Sequence, residues 1–447
     1  MADVVLVYPY FYSCAKDKSI FKFPPLGLGY LASSLMDNGI SVEIIDGSFL
    51  DPPAVVEKVK KVSPKIAGFY VMLTMEQSAL ELAASIRDYC GLLVAGGPYP
   101  TASPDFFLPH FDLVALGEAE KSLPEMIEGF LSDRNPYEVP GFAYWEGQSV
   151  RYSPVRARIE KLDEITAPAR SLFDNDAHKE YWQRNYGYTT TSMITTRGCP
   201  FKCGFCSKPV FGDDYKERTA SNVVDEIEEI LEFGYDRIWM ADDCFTLNKR
   251  RVAEICEGIL TRGLRFEWEC LSRVDGIDTE TLNHMREAGC VRLFFGLESG
   301  NDQMLRVMKK NTTTAAGRKA VDLAVKCGLK TGGFFILGYP GETNRTLIQT
   351  INFSSSLPLH YLSYTVPYPL PGTDLFSRVK NRINDVSWMS PRRHRLLYRS
   401  DFSMHKLNLA MAKGTVQHWL RSKLGGFGSA IELPFRWLTN GVLRLVP

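Results

Sequence analysis

Short apolar runs alternate with amphipathic stretches through the first 130 or so residues of the chain. The apolar runs end near Gly, Asp or Pro and cover residues 4–8, 42–46, 66–72, 92–95 and 112–116. The stretches between them, such as 26–36 and 78–89, are long enough to form helices. Five βα repeats with continuous apolar strands predict a doubly wound, Rossmann-like parallel sheet over residues 1–135. Such sheets bind ligands beyond the carboxyl ends of their strands.

A second βα series begins after a stretch rich in proline. Residues 136–188 contain Pro136, Pro140, Pro154 and Pro168, and the pattern predicts an irregular connecting segment. Apolar runs then recur at 193–196, 237–241, 266–272, 291–296, 332–337 and 362–366. Six strands with helices between them predict a partial (β/α)6 barrel over residues 189–378, in which active-site residues follow the strand ends.

The last segment, residues 379–447, has a different pattern. Residues 388–399 and 414–424 are rich in Arg, Lys and aromatic side chains, which predicts short helices with basic faces. A solvated helical cap is the favoured interpretation. A basic amphipathic surface for an acidic or membrane-associated partner is the alternative.

Composition narrows the function classes. Lys plus Arg and Asp plus Glu are balanced at 52 each, so no overall positive charge favours a nucleic-acid partner. The start lacks a basic region followed by a long apolar stretch, and we expect a cytoplasmic protein. In that compartment the 10 cysteines are expected to be free thiols or metal ligands rather than disulfides.

One group of cysteines is tightly spaced. Cys199, Cys203 and Cys206 form a Cys-x3-Cys-x2-Cys motif directly after the first predicted barrel strand. Thiolates are the usual ligands of a 4Fe–4S cluster, and three of them leave one iron open to bind a further ligand. A structural zinc site is the main alternative, but it needs four ligands, and no fourth Cys or His lies close by in the sequence. The other cysteines are scattered, so a second cluster is not expected.

The motif resembles that of the radical S-adenosylmethionine (SAM) superfamily, in which an aromatic residue precedes the third cysteine. Phe205 holds that position, and the resemblance places it near the adenine of SAM. It also implies that the open iron binds the amino and carboxylate groups of SAM, and that one electron then cleaves a carbon–sulfur bond to give the 5'-deoxyadenosyl radical. Similarity to the family extends over residues 190–378.

Further elements of the family follow the later barrel strands. Asp242 or Asp243 suits the SAM ammonium group, and Arg273 suits the carboxylate in a bidentate pair, with a structural ion pair as its alternative role. Glu298 and Ser299 belong to a Gly-x-Glu-Ser element, where the glutamate binds either the ribose or the amino-acid end of SAM. In the element after the fifth strand, Glu342 is interpreted as a helix-start residue rather than a catalyst. No catalytic residue is assigned.

The first domain resembles cobalamin-binding domains. A Gly-x-Gly-x-x-Gly fingerprint is absent after the first strand, which disfavours a dinucleotide. Three elements, residues 24–32, 96–101 and 117–120, resemble those of the family in order. The resemblance predicts cobalamin contacts at Gly96, Gly97, Gly117 and Glu118, although a tight turn without a ligand explains Gly96 and Gly97 alone. The histidine motif that ligates cobalt in many cobalamin proteins is missing. The cobalamin lower face is therefore expected to meet the loop that contains Leu73 and Thr74, with a bland apolar loop as the alternative.

Together these resemblances imply a cobalamin-dependent radical SAM C-methyltransferase. In such an enzyme the adenosyl radical removes a hydrogen from an unactivated substrate carbon, which then receives a methyl group from SAM by way of methylcobalamin. The alternatives are a radical cyclase or rearrangement enzyme with cobalamin, and a cofactor-carrying sensor without turnover. The expected partners are an electron donor such as flavodoxin or ferredoxin and a substrate that the sequence does not name: a peptide, tetrapyrrole, lipid or small molecule. No nucleic acid is expected, and membrane-surface contact by the C-terminal segment is the less favoured possibility.

Overall fold

The computed structural model describes residues 2–9, 22–132, 134–383 and 398–445, with the backbone alone at 423–430 and 445. These residues form two compact units. The first comprises described residues up to 199 together with 208–238, and the second comprises 200–207, 239–383 and 398–445. Each unit is described separately below.

The first unit is built on a seven-stranded sheet with the order β2-β1-β3-β4-β5-β6-β7. The strands are β1 Val4–Tyr8, β2 Val42–Asp46, β3 Ile66–Tyr70, β4 Leu92–Gly96, β5 Leu113–Ala115, β6 Phe142–Glu146 and β7 Ser149–Tyr152. The first five pair in parallel, as predicted, and the last two are antiparallel. The helices are α1 Leu26–Asp37, α2 Pro52–Val62, α3 Glu76–Ile86, α4 Pro98–Ala102, α5 Pro104–Phe107, α6 Ser122–Leu131 and α7 Asn175–Tyr186.

Both faces of this sheet are buried. Val5 and Val7 belong to one apolar core, whereas Val4 and Leu6 belong to another. Successive side chains of a strand point to opposite faces, so a strand that is apolar throughout must be covered on both sides. The continuous apolar runs were therefore a correct signal for a doubly wound sheet.

The prediction of an irregular segment over 136–188 was wrong in its local structure. Strands β6 and β7 extend the sheet, and α7 is a regular helix capped by the Asp174 side chain. The prolines lie outside these elements, so they do not interrupt them. Strand β7 is largely exposed, and an exposed edge strand carries no apolar run that a sequence pattern would reveal.

All six strands predicted for the second series are present. The first is β8 Thr190–Met193, followed by the short pair β9 Thr196–Arg197 and β10 Lys216–Glu217, helix α8 Ala220–Glu232 and strand β11 Arg237–Met240. The predicted first strand lay a few residues too late. Thr191 and Ser192 are buried in β8, and their hydroxyl groups hid the strand from a search for apolar runs.

In the second unit four parallel strands pair in chain order: β12 Glu267–Ser272, β13 Cys290–Glu298, β14 Lys330–Ile336 and β15 Tyr361–Thr365. The accompanying helices are α9 Lys249–Thr261, α10 Thr279–Glu287, α11 Asp302–Val307, α12 Thr314–Lys326, α13 Asn344–Ser356 and α14 Asp374–Val379. This alternation matches the predicted partial barrel. The carboxyl ends of the strands, with Arg273, Glu298 and Gly338 just beyond or at them, lie on one side of the sheet.

Helix α15, Met404–Leu445, follows and contacts α13. Two short basic helices were predicted here. The second of them, 414–424, lies within α15, whereas most of the first, 388–399, falls outside the described residues. No described helix is both long enough and apolar enough to cross a membrane.

Candidate active site

The cysteine loop begins at a fixed turn in the first unit. Gly198 has a φ of 78°, and a β-carbon there would collide with the backbone carbonyl of Asp214. Only glycine tolerates both the conformation and the close approach. The Cys199 N–H donates to the Gly212 carbonyl at 3.2 Å, and Lys208 Nζ donates to the Cys199 carbonyl at 2.5 Å. The backbone of the first thiol is therefore anchored.

The other two thiols lie in a turn of the second unit. The Cys206 N–H donates to the Cys203 carbonyl at 3.1 Å, which closes the turn. Its central residue, Gly204, donates to the Met308 carbonyl and accepts from the Leu375 N–H, both at 2.8 Å. A β-carbon at Gly204 would approach the side chains beyond it to 3.1 Å, so the turn is held close to the surrounding unit.

The accessibility of these cysteines fits a cluster ligand set. Cys199 and Cys203 are partly exposed and Cys206 is exposed. By contrast, four cysteines of the barrel strands and helices, Cys244, Cys256, Cys270 and Cys290, are buried. Three thiols on one loop suit a cubane cluster, whose ligands stand farther apart than those of a single ion. Among the described residues no three Cys, His, Asp or Glu side chains stand together as a metal site, so the cluster ligand set is identified by the motif.

Arg273 lies beside this loop. Its guanidinium carbon is 3.7 Å from the ring centroid of Phe201, within the cysteine motif. It also makes a bidentate pair with Asp275, with Nε to Oδ1 at 2.9 Å and Nη2 to Oδ2 at 2.7 Å. Burial alone would lower the pKa of Arg273. The hydrogen bond and charge of Asp275, together with the charge of Cys203, outweigh burial and raise this pKa above its ordinary value. The guanidinium thus has a half-exposed carboxylate partner, where the sequence predicted the carboxylate of SAM.

Glu298 forms a buried ion pair that the sequence did not predict. Its Oε1 lies 2.9 Å from Lys310 Nζ, and both side chains are almost fully buried. A β-carbon at Gly296 would lie 2.5 Å from Glu298 Oε1 and 2.7 Å from Lys310 Nζ, so glycine leaves the space that the pair occupies. Glu298 also has a φ of 61°, a left-handed conformation that is uncommon for residues other than glycine and clusters at functional sites.

Lys310 connects three of the predicted SAM residues. Besides pairing with Glu298, its carbonyl accepts from Arg273 Nη2 at 3.3 Å, and its Nζ is 5.9 Å from the Phe205 ring centroid. Burial lowers the pKa of Lys310, whereas the charges of Glu298 and of the Cys203 thiolate raise it. The structure thus gathers Phe205, Arg273 and Glu298 around one buried cation near Cys203.

The remaining predicted SAM residues are less closely tied to this group. Asp242 is buried and Asp243 is exposed, directly beyond β11. Ser299 is fully buried, and its hydroxyl pairs with Thr350 of α13 at 3.0 Å. Ser299 therefore has a structural partner, while the role of each residue toward SAM stays a prediction.

Phe201, Asp275 and Lys310 are the residues that sequence reasoning missed. Phe201 lies inside the motif, but the family resemblance marks only the aromatic position before the third cysteine. Lys310 follows another lysine and looks like a surface residue, although it is 8% exposed. Its burial depends on the fold of the 308–310 turn against β13, which no local pattern reveals.

The predicted cobalamin residues lie at the carboxyl edge of the first sheet. Residues Leu73–Met75 form a short turn after β3, in which Thr74 is exposed and Leu73 is half-buried. The Val71 N–H donates to the Gly96 carbonyl at 2.8 Å, which joins this loop to the end of β4. The structure thus brings Leu73, Thr74, Gly96 and Gly97 to neighbouring strand ends.

The glycines at this edge fit a bulky cofactor. Gly97 has a φ of 97°, and a β-carbon there would lie 3.1 Å from the Val71 nitrogen, so this protein's own backbone requires it. At Gly96 a β-carbon would meet only ordinary contacts, the nearest at 3.5 Å, so packing within the unit does not explain the missing side chain. Gly117 also has a positive φ, 75°, and its N–H donates to Thr101 Oγ1 at 3.1 Å.

Glu118, by contrast, is engaged by the protein itself. Arg197, two residues before Cys199, donates to Glu118 at 2.7 Å and to Glu120 at 2.6 Å. The second Glu118 oxygen accepts from the Ile159 N–H at 3.1 Å. This buried network links the strand before the cysteine loop to the loop after β5. It gives Glu118 a structural role beside its predicted one.

Two family models match this chain. Residues 193–354 match the radical SAM superfamily, and residues 13–127 match the B12 binding domain. The first range contains the cysteine loop and strands β9 to β14, and the second contains strands β2 to β5 of the first sheet.

Relatives cover most of the chain. An uncharacterised methyltransferase of Pyrococcus horikoshii is 31% identical over 421 residues, which is 90% of this chain and 89% of that protein. The anaerobic magnesium-protoporphyrin IX monomethyl ester cyclase of Cereibacter sphaeroides is 27% identical over 85% of this chain and 64% of its own length.

Two solved structures have the same fold. The cobalamin-dependent SAM radical enzyme OxsB, with aqua-cobalamin bound, aligns with a TM-score of 0.78 at 20% identity over 99% of this chain and 72% of its own. The radical SAM methyltransferase TsrM of Kitasatospora setae aligns with a TM-score of 0.70 at 20% identity over 85% of this chain and 75% of its own.

Proposed function

The chain belongs to the cobalamin-dependent radical SAM enzymes, and from this premise we propose that it is a C-methyltransferase that acts on an unactivated substrate carbon. Its cofactors are a 4Fe–4S cluster, SAM and cobalamin, and it is an enzyme rather than a cofactor-carrying sensor. The observation that carries the proposal is the match to a methyltransferase along nine-tenths of the chain, with both cofactor domains included.

The residues divide the work between the two units. Cys199, Cys203 and Cys206 would hold the cluster, whose open iron leaves room for the amino-acid end of SAM. When bound, the cluster would supply one electron to the SAM sulfonium, and cobalamin would supply a cobalt that carries a methyl group. The contribution of the protein side chains is to bind and orient SAM and cobalamin.

Arg273 and Glu298 are suited to orient SAM. The Arg273 guanidinium already holds a carboxylate in the bidentate geometry, and Asp275, which is half-exposed, can release it for the SAM carboxylate. Lys310 pairs with Glu298 and holds its side chain in place in the buried setting, where the carboxyl oxygens can accept hydrogen bonds. Phe205 packs against the apolar group around Met304 and Ile336 and offers a ring face to the adenine.

On the first unit, the end of β4 at Gly96 and the loop with Leu73 and Thr74 would take cobalamin. No described side chain of this loop is a strong metal ligand. A weakly held lower face favours release of a methyl group to a carbon radical, which supports methylation. We also propose that flavodoxin or ferredoxin supplies the electrons.

A radical cyclase is the second candidate, because cyclase relatives from three sources align with about three-quarters or more of the chain. The two candidates differ in the use of SAM. Methylation consumes two SAM molecules per product and releases S-adenosylhomocysteine and 5'-deoxyadenosine, whereas cyclisation releases only the second.

The test is the ratio of these two compounds during turnover of reduced holoenzyme in an extract of the source cells, which supplies the substrate. The proposal predicts a ratio near one. Formation of 5'-deoxyadenosine without S-adenosylhomocysteine above that of the extract alone would replace methylation by cyclisation.

A further inference from the structure

Helix α15 cannot run straight along its length. Gln417 Nε2 donates to Glu432 Oε1 at 2.6 Å, although the two residues are 15 positions apart. A straight helix would separate them by about 22 Å, which is beyond the reach of their side chains. The chain therefore turns back between Gln417 and Glu432, and the part that contains Glu432 lies against the part that contains Gln417.

The face of this second part that points toward the protein carries the buried charge of Glu432 beside one buried apolar side chain, Leu443. Glu432 is 0% exposed and lies 3.3 Å from Arg421 Nε and 3.9 Å from Arg436 Nε. Gln417 is also fully buried and pairs with Lys413 as well as with Glu432. The only acidic side chain between residues 402 and 444 is thus withdrawn from the surface and neutralised.

The opposite face is apolar and exposed. Trp437 is 80% exposed and Leu438 is 63% exposed. At 100° per residue they share one side of the helix with three further exposed side chains, Ile431, Leu433 and Val442. A surface helix ordinarily places most of its apolar side chains inward. Here five of them are exposed on one side, and this exposed group marks an interaction surface.

The surroundings of this face are basic and aromatic. Residues 402–444 contain six Lys or Arg and one acidic residue, and two of the basic residues, Lys406 and Lys413, are buried. Arg421 and Arg436 are each about one-third exposed, Arg444 is exposed at the end of the helix, and Trp419 on the preceding part is 53% exposed. An apolar helix face with tryptophan and a basic border is the pattern of helices that lie in the interface of an anionic membrane.

We propose that the face formed by Ile431, Leu433, Trp437, Leu438 and Val442 docks the enzyme on an anionic lipid surface. A second copy of the chain suits it less well. A twofold contact would place two basic borders against each other with no exposed acidic residue from 402–444 to pair with them. A bilayer surface covers the apolar face and supplies the negative charge.

The experiment is flotation of the purified holoenzyme with two kinds of vesicle, phosphatidylcholine alone and phosphatidylcholine mixed with phosphatidylglycerol. Wild-type protein should float with the mixed vesicles and much less with the neutral ones. The double variant Trp437→Ser, Leu438→Ser should weaken binding to mixed vesicles by about tenfold or more. Trp145→Ser, which alters a 42% exposed tryptophan of β6, is the matched control and should bind like the wild type.

Arg444→Glu tests the charge separately, because an exposed end residue is not needed for folding. It should weaken binding to mixed vesicles about fivefold or more and leave binding to neutral vesicles unchanged. Absence of wild-type flotation with mixed vesicles would overturn the proposal. So would a concentration-dependent dimer that the double variant abolishes, since the occupant would then be a second copy.

Discussion

The two units each bury a glutamate completely, and they treat its charge in opposite ways. Glu226 of the first unit lies between Arg170 and Arg218, and both arginines are buried with it. Glu342 of the second unit accepts one hydrogen bond, from the Gly338 N–H at 2.6 Å, and has no cation within ion-pair distance among the described residues. Burial raises the pKa of both carboxyls, but the two arginines reverse this for Glu226 and hold its pKa below the ordinary value. The pKa of Glu342 rises to about 8.

This difference separates two kinds of buried charged group. Some are fixed in structural ion pairs, and others are uncharged or can exchange one partner for another. In the first unit Arg170 and Arg197 each join distant parts of the chain through buried ion pairs. In the second unit the groups near the cysteine loop have partners that are single or half-exposed, as for Glu298 and Arg273. Ligand sites need groups that can change partners, whereas a buried network needs every partner in place.

The largest expected effect is the loss of the cluster. Replacing Cys199, Cys203 and Cys206 by Ala together removes all three thiolates of the loop. Anaerobically reconstituted wild-type protein should carry about one cluster, and the triple variant should carry no cluster iron and release no 5'-deoxyadenosine. The triple variant Cys244→Ala, Cys256→Ala, Cys327→Ala is the control and should keep its iron. Full iron content in the first variant would end the account.

The next largest effect concerns the buried ion pairs of Glu226 with Arg170 and Arg218. Glu226→Gln leaves Arg170 and Arg218 buried without a carboxylate, which should lower the free energy of unfolding by about 3–5 kcal/mol. Urea denaturation at neutral pH measures it. The control Glu146→Gln breaks the exposed Arg151–Glu146 pair and should lower the free energy of unfolding by at most about 1 kcal/mol. If both variants lose equally little free energy of unfolding, the buried ion pairs of Glu226 do not stabilise the first unit.

The same substitution at Glu342 should act in the opposite direction. The folded pKa of about 8 exceeds the ordinary value of 4.5, so the unfolded chain loses its proton first as pH rises. The free energy of unfolding of the wild type should therefore fall, relative to Glu342→Gln, between about pH 5 and pH 8, by on the order of 3 kcal/mol. Denaturation curves of both proteins at several pH values measure the difference. A gap that does not change with pH would contradict a neutral Glu342.

The smallest effect concerns SAM affinity. Arg273→Ala should weaken SAM binding by about 1–3 kcal/mol if the guanidinium holds the SAM carboxylate, and the iron content should stay unchanged. Arg292→Ala is the matched control, because it breaks the Arg292–Glu269 pair near the start of β13. Calorimetry measures the SAM affinity of each protein. Equal affinities of the wild type and Arg273→Ala would leave Arg273 with a structural role only.

The sequence predicted the parts of the molecule that local pattern controls. Apolar runs located the parallel strands, and the cysteine spacing located the cluster loop. It missed β7, whose exposed edge has no apolar signal, and it placed β8 a few residues too late, because the buried Thr191 and Ser192 look polar. It also missed Lys310 and the Arg197 network, because burial and pairing of charges depend on contacts between residues far apart in the chain. The interpretation of Glu342 as a helix-start residue was incomplete for a different reason: α13 begins after Thr343, and the buried carboxyl accepts a hydrogen bond from Gly338, four residues earlier.

The central claim is that one chain transfers the methyl group of SAM with the help of cobalamin. The most direct measurement is a single turnover of reduced, cobalamin-loaded enzyme with SAM in the absence of substrate. The account predicts about one equivalent of S-adenosylhomocysteine for each bound cobalamin, and none from enzyme without cobalamin. Binding of cobalamin with no S-adenosylhomocysteine formed would contradict it.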